Sequence, residues 1–303
     1  MASDITHIAF ADEHNQDSGS GRFGSIALIT MKKDNYKIVS DGILKVISEA
    51  GVKVEFKWTK TKYTNHKKAA IKLVNLAVEL ALSGVFRIDV ILWDYQDARH
   101  NIAARDNIKN FHIMYHHLLT NTLHKFWPDK SIWVLYPDGT TCVDWGNVQS
   151  FANYKSIKKT EESLFDLANT LKGYHVIKIT QVSSDKSPVS RLADLFAGLI
   201  PYSRYCYDKY EAIKIEKEGG ALLKTGEIEF APLDINRYEI IKCLLKHKEK
   251  QKFGISFESS KGFRSLKPSK DYPINFWWYE PQHEKDKAPV KLKGFDYAKQ
   301  IYL

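Results

Sequence analysis

ITHIAFADEHNQDSGSGRFGSIALITMKK, residues 5–33, is the stretch on which the fold turns. An apolar run rich in β-formers stops on two acids, Asp12 and Glu13. A glycine-serine turn follows, and a second apolar run begins at Phe23. Two such runs joined by a short glycine-rich link predict an antiparallel hairpin. A strand places successive side chains on opposite faces. Asp12 and Glu13 therefore point to opposite sides, and one of them at most faces a given site.

Working outward, Ser40–Ala50 carries apolar residues at helical spacing and stops at Gly51. VKVEFKWTK alternates strictly and predicts a third strand with Val52, Val54, Phe56 and Trp58 on one face. Ala69–Leu82 reads as an amphipathic helix, FRIDVILWD as a dense strand ending on Asp94, and 104–126 as a helix. SIWVLYPDG reads as a strand ending on Asp138, Ser163–Leu171 as a helix, and HVIKITQV as a strand. SPVSRLADLFAGLIPYSRYCY opens on a Ser-Pro start signal and continues as an apolar helix. A hairpin followed by strands alternating with helices predicts an α/β fold with a mixed sheet. Beyond about residue 206 the pattern changes to a basic helix, Tyr238–Lys250, and two short aromatic strands near 255–257 and 274–279. The expected organisation is a sheet domain over 1–205 and a basic, aromatic-rich α+β extension over 206–303, loosely winged-helix-like.

The chain has 303 residues, a formal charge of +9 and ordinary apolar and charged fractions, so it is long enough to bury a substantial core. The three cysteines, Cys142, Cys206 and Cys243, lie far apart and form no metal or disulfide pattern, which suggests reduced thiols and a cytoplasmic protein. The N-terminus lacks the features of a signal peptide, and no apolar run approaches the ~20 residues of a membrane helix. The GSGRFG turn lacks the GK[ST] ending of a phosphate-binding loop, and no serine nucleophile elbow occurs. His112 and His116 stand four apart, as a zinc pair would, but with no HExxH and no third ligand nearby they read better as structural.

The acids carry the functional reading. Asp12, Asp94 and Asp138 each end an expected strand, and Asp194 sits within an apolar helix, where a carboxylate needs a partner. Sites in such sheets form at the carboxyl ends of strands. Acids gathered there repel one another and stay ionised only beside cations. Mg²⁺ or Mn²⁺ suits oxygen ligands, and a pair of such ions cuts phosphodiesters. The turn-and-cap role of aspartate is the competing reading, strongest for Asp138 in PDGT. Two lysine-rich stretches offer phosphate contacts. Residues 53–72 hold seven lysines, including Lys57, Lys60 and Lys62; residues 242–270 hold eight, including Lys246 and Lys250, with Arg264. An exposed Trp277 or Trp278 would offer a stacking surface.

FADE followed by SGSGRFG, then VEFKWTKTKY, then SSDKSPVSRLADLFAG resembles the mostly bacterial family called domain of unknown function 3800, of the ribonuclease H-like superfamily. The resemblance covers roughly residues 5–205 through three separated motifs in the same order. HNQD is inserted between the DE and SG of the opening motif, and Arg191 stands where that family has glutamine. The resemblance implies a ribonuclease H-like sheet with metal-binding acids at Asp12, Glu13, a strand-end acid (Asp94 or Asp138) and Asp194. The expectation is a metal-dependent nuclease, with Asp12, Asp94 and Asp194 central to catalysis and nucleic acid as partner. The alternative is a non-catalytic nucleic-acid- or protein-binding module on the same fold.

Overall fold

The computed structural model of the chain describes residues 4–16, 19, 21–97, 106–139, 143–158, 173–219, 229–250, 254–259, 261–267 and 269–280. The opening hairpin forms as the sequence predicts: β1 (His7–His14) pairs antiparallel with β2 (Phe23–Lys32), Asp12 opposite Ala27. β2 continues antiparallel to β3 (Phe86–Asp94). On the other side β1 pairs parallel with β4 (Ile132–Pro137), which pairs parallel with β5 (His175–Ile179). β8 (Ile274–Trp278) lies parallel to β3 and completes a six-stranded mixed sheet of order β5-β4-β1-β2-β3-β8. The protein is thus α/β with a mixed sheet.

Helices cover both faces of the sheet. α1 (Tyr36–Glu49), α2 (Thr64–Leu82), α5 (Pro188–Tyr205) and α7 (Pro232–Lys250) belong to one side, where Phe10, Ile29, Leu73, Phe196, Ile241 and Phe276 share a core. α3 (Asn107–Phe126) and α4 (Trp145–Lys158) belong to the other, where Ile26, Ile91, Trp93, Phe111, Leu118 and Trp133 pack. The central strands are apolar on both faces for this reason, and β2 is buried from Phe23 through Met31.

Several expectations differ from what forms. Residues 52–57 make no strand; they run irregularly into a 3₁₀ turn at Trp58–Lys60. Val52, Phe56 and Trp58 are buried, but Val54 is 60% exposed, so the alternation never completes a face. Nor is the edge of β3 open to it: β2 lies between β1 and β3, and β8 occupies the outer edge of β3. The winged-helix-like grouping also separates. β6 (Ile255–Glu258) pairs with β7 (Gly262–Ser265), a strand too short to read from its pattern, while β8 leaves them for the main sheet. Residues beyond 206 return to the shared core through Tyr210 and Ile213 of α6 (Tyr207–Glu218), Tyr238 and Leu244 of α7, and Ile274 and Phe276 of β8. The helix expected at Ser163–Leu171 lies outside the described residues.

Candidate active site

Asp12 is the sixth residue of β1 and lies on the α5 side of the sheet, as does Phe10 two residues earlier. Asp138 directly follows β4, and its backbone N–H donates to the Ala11 carbonyl at 2.8 Å, which sets it beside the end of β1. Asp194 comes from α5, which packs across β1 and β2. Ser25 of β2 ties that helix down, its Oγ donating to the Ala197 carbonyl at 2.6 Å. α5 starts where the sequence says it should, with Pro188 in its first turn and the Ser187 side chain accepting from the Ser190 N–H.

Gly198 follows Asp194 by one helical turn and allows the close approach that completes this corner. A Cβ at residue 198 would lie 2.0 Å from the Trp58 ring. With glycine there, Trp58 slides beneath α5 and its backbone N–H donates to Asp194 Oδ2 at 2.5 Å. The segment that fails to become a strand is therefore a wall of the site. Its Glu55 and Lys57 face Ser184: Lys57 Nζ is 2.7 Å from Ser184 Oγ, 3.2 Å from Glu55 Oε1 and 3.7 Å from Asp138 Oδ2, and Ser184 Oγ also donates to Glu55. The Ser184 N–H donates to Asp138 Oδ1 at 3.1 Å. Arg191 donates to the Ser184 and Asp185 carbonyls and so holds this loop.

Glu13 turns to the opposite side of the sheet, as the two-residue period requires, and accepts from the Tyr115 hydroxyl of α3 at 2.9 Å. Burial pushes the Glu13 carboxyl up to about 7, with the Asp138 charge adding to it and the Tyr115 hydrogen bond opposing it. Asp12 is raised well above the ordinary carboxylate range, first by burial and then by Asp194, Glu13 and Asp138. Asp194 is raised to about 6 by burial, despite the Trp58 N–H and the Lys57 charge. Burial works against the Lys57 ammonium, but Asp194, Glu55, Asp12 and Asp138 outweigh it and keep the group charged. These carboxylates thus share one field around a single lysine.

Asp94 stands apart from that field. Arg22 grips it with a forked hydrogen bond, Nε at 3.0 Å and Nη2 at 2.8 Å, and it accepts the Gln96 N–H. The register explains why: Ala27 faces both Asp12 and Val90, so Asp94 lies four residues farther along β3 and two strands away. The strand-end acid that shares the field with Asp12 and Asp194 is Asp138, and Asp94 is an ion-paired strand end.

The expected nucleic-acid contacts scatter. Lys57 lies inside the acid cluster, while Lys60 and Lys62 sit on the adjoining turn, the Lys62 ammonium over the Tyr63 ring. Lys246 lines a cavity between α2 and α7, Lys250 ends α7, and Arg264 pairs with Glu258. Trp277 and Trp278 are half-buried, and Trp278 Nε1 donates to the Lys261 carbonyl. His112 accepts the Asp144 N–H, and His116 packs against Phe151. Cys206 and Cys243 are free thiols; Cys142 lies outside the described residues. Sequence reasoning missed Glu55, Tyr115 and Ser184. For Glu55 a signal existed, an acid two residues before Lys57; Tyr115 and Ser184 carry none.

The donor chemistry of the cluster suits a hard divalent cation. It is all oxygen, and the buried Asp12 Oδ2 has no hydrogen-bond partner. As they stand, no three His, Cys, Asp or Glu side chains among the described residues are arranged as a metal-binding group. Lys57 supplies the positive charge instead.

Fold and site together define an α/β protein with a six-stranded mixed sheet and a lysine-centred acid cluster at the carboxyl ends of two adjacent parallel strands. No family model matches the chain. Two proteins of Methanothermobacter thermautotrophicus, "Uncharacterized protein ORF2" and "Uncharacterized protein ORF2'", are 32% and 31% identical to it over 299 residues, spanning 96% of this chain and all of each relative. The chain belongs to their family, and the match runs through the segments beyond residue 206 as well as the sheet. No helix among the described residues is long and apolar enough to cross a membrane.

Proposed function

We propose that the protein is a metal-dependent nuclease on a ribonuclease H-like fold, hydrolysing phosphodiester bonds of nucleic acid. One observation carries the reading: Asp12, Asp138 and Asp194, from three elements distant in sequence, share one buried field, with Asp12 Oδ2 unpartnered. Buried like charges are costly, and the single ammonium of Lys57 balances only one of the three. Asp12, Asp138 and Asp194 would hold Mg²⁺ or Mn²⁺, with Glu13 behind them on the far side of β1. The ions, two in the fullest form, would supply an activated water and Lewis acidity toward the phosphate. The Trp58 N–H fixes the Asp194 carboxylate, the Tyr115 hydroxyl fixes Glu13, and the Ser184 N–H fixes Asp138. Lys57 keeps a proton among the acids and can turn its ammonium to a phosphate oxygen when substrate enters. The hairpin-led mixed sheet supports the ribonuclease H-like assignment, and the resemblance to domain of unknown function 3800 belongs to the same proposal.

A second reading is a binding module without cleavage. Lys57 favours it, because this ammonium already balances the acids. Labelled single- and double-stranded DNA and RNA, incubated with Mn²⁺, Mg²⁺ or EDTA, separate the two readings. A nuclease cuts with metal and loses cutting in Asp12→Asn and Asp194→Asn, whereas Asp94→Asn keeps most of it. Binding without cutting under every ion would leave the second reading standing.

A further inference from the structure

A cavity of about 470 Å³ opens on the same sheet face and runs from the start of β1 toward the acids without including them. Three neighbouring rings line it together with Ile5, Ile8 and Val182. Phe10 stacks against Tyr36 with centroids 5.6 Å apart and planes at 14°, and against Tyr136 at 5.0 Å and 23°. Phe10 is buried, while Tyr36 and Tyr136 are half-buried and line the opening. Lys33, Lys37 and Lys186 stand at the rim with one acid, Asp34; Lys37 also pairs with Asp41.

The position of the cavity follows from the strand register. Phe10 precedes Asp12 on β1, and Tyr136 precedes Asp138 after β4, each by two residues on the same face. Phe10 and Tyr136 therefore stand about 7 Å from the acids along the strands, and Tyr36 of α1 stacks on Phe10. Lys186 and Ser187 belong to the loop that also carries Ser184, so one loop borders both the ring cavity and the acid cluster.

We propose that this cavity receives an unstacked base of a single-stranded nucleic acid, which makes single strands the substrate class of the neighbouring acid site. Tyr36 and Tyr136, the half-buried rings at the opening, can take a base irrespective of sequence, and cations at the rim answer the phosphates on either side. A paired base in a duplex is already stacked and cannot enter. The lysine-rimmed edge also distinguishes this ligand from an apolar peptide, for which the charges would have no use. The proposal rests on the nuclease reading for what happens to the neighbouring phosphodiester, but base binding itself needs no cleavage.

The test uses the whole chain in EDTA, where no metal-dependent cutting occurs, and a single-stranded oligonucleotide carrying 2-aminopurine. Stacking on the tyrosines quenches that base. The expected result is binding tighter than to the matching duplex, with quenching. Tyr36→Ala weakens binding about tenfold and removes the quench, Tyr36→Phe keeps both, and the surface change Lys186→Glu weakens binding without affecting the thermal melt. Unchanged binding and quenching in Tyr36→Ala and Lys186→Glu, or equal affinity for duplex, would overturn the proposal. Metal-dependent cutting by a protein that quenches no 2-aminopurine would sink the base cavity and spare the nuclease reading. Quenching with no cutting under any metal would do the reverse.

Discussion

Asp194 is best understood through the two groups that touch it. Its pKa in the folded chain is raised to about 6, so its contribution to stability is present below the unfolded value near 3.8 and is lost as pH rises through 6. Above that, the metal-free protein carries a buried charge at a cost. Asp194→Asn removes the charge and keeps an oxygen for the Trp58 N–H. Urea unfolding in EDTA should therefore show the variant about 1–2 kcal/mol more stable at pH 8 and indistinguishable at pH 4. An equal shift at both values would mean that the charge does not matter. Lys57→Met should act in the opposite sense. It deprives the acids of the cation that pairs with them among the described residues, and the loss, about 1–2 kcal/mol at pH 8, should shrink at pH 5 where Asp194 and Glu13 take up protons. A loss independent of pH would point to packing of the lysine stem instead.

At the scale of elements, α5 and the irregular segment 52–60 form one device. Gly198→Ala drives a methyl into the Trp58 ring and should cost about 2 kcal/mol or more. On the metal-dependent function proposed above, it should also weaken Mn²⁺ binding, read by calorimetry, because Asp194 loses the amide that fixes it. Wild-type stability in this variant would show that the helix can shift freely. The hairpin, β3, α5 and its buried acid were legible because apolar periodicity and capping residues report local structure. Residues 52–58 misled because alternation alone fixes neither burial nor pairing: Val54 is exposed, and the outer edge of β3 is held by β8, more than two hundred residues later. Asp94 misled for a related reason. Ending a strand says nothing of how far along the sheet that end lies, and only the register separates Asp94 from Asp138. β7 and α6 were missed because one is four residues long and the other is mostly polar.

At the scale of the whole molecule, the sheet needs the end of the chain. β8 covers the outer edge of β3, and α7 packs on α2. A chain cut after residue 205 would bare a long apolar strand edge and half of the helix interface. It should aggregate or melt without cooperativity by circular dichroism, whereas the full chain melts in one transition. A soluble, cooperative 1–205 fragment would contradict this. Among the described residues, several cations are paired with acids at separate places in the fold: Lys57 lies among acids, Arg264 pairs with Glu258, and Lys67 and Lys217 both reach Glu239. Composition alone could not reveal that dispersal.

The amide of Trp58 has a further use. It lies outside every strand and is held by a carboxylate rather than a carbonyl, so its hydrogen bond strengthens when Asp194 ionises and weakens when the acid is protonated. Its proton resonance should move with pH around 6, and its protection against exchange, relative to a free amide at the same pH, should rise above it. A cation entering the cluster would redirect the carboxylate's electron density and shift the same signal. One backbone proton thus becomes a gauge of what occupies the site, readable by NMR before any substrate is known.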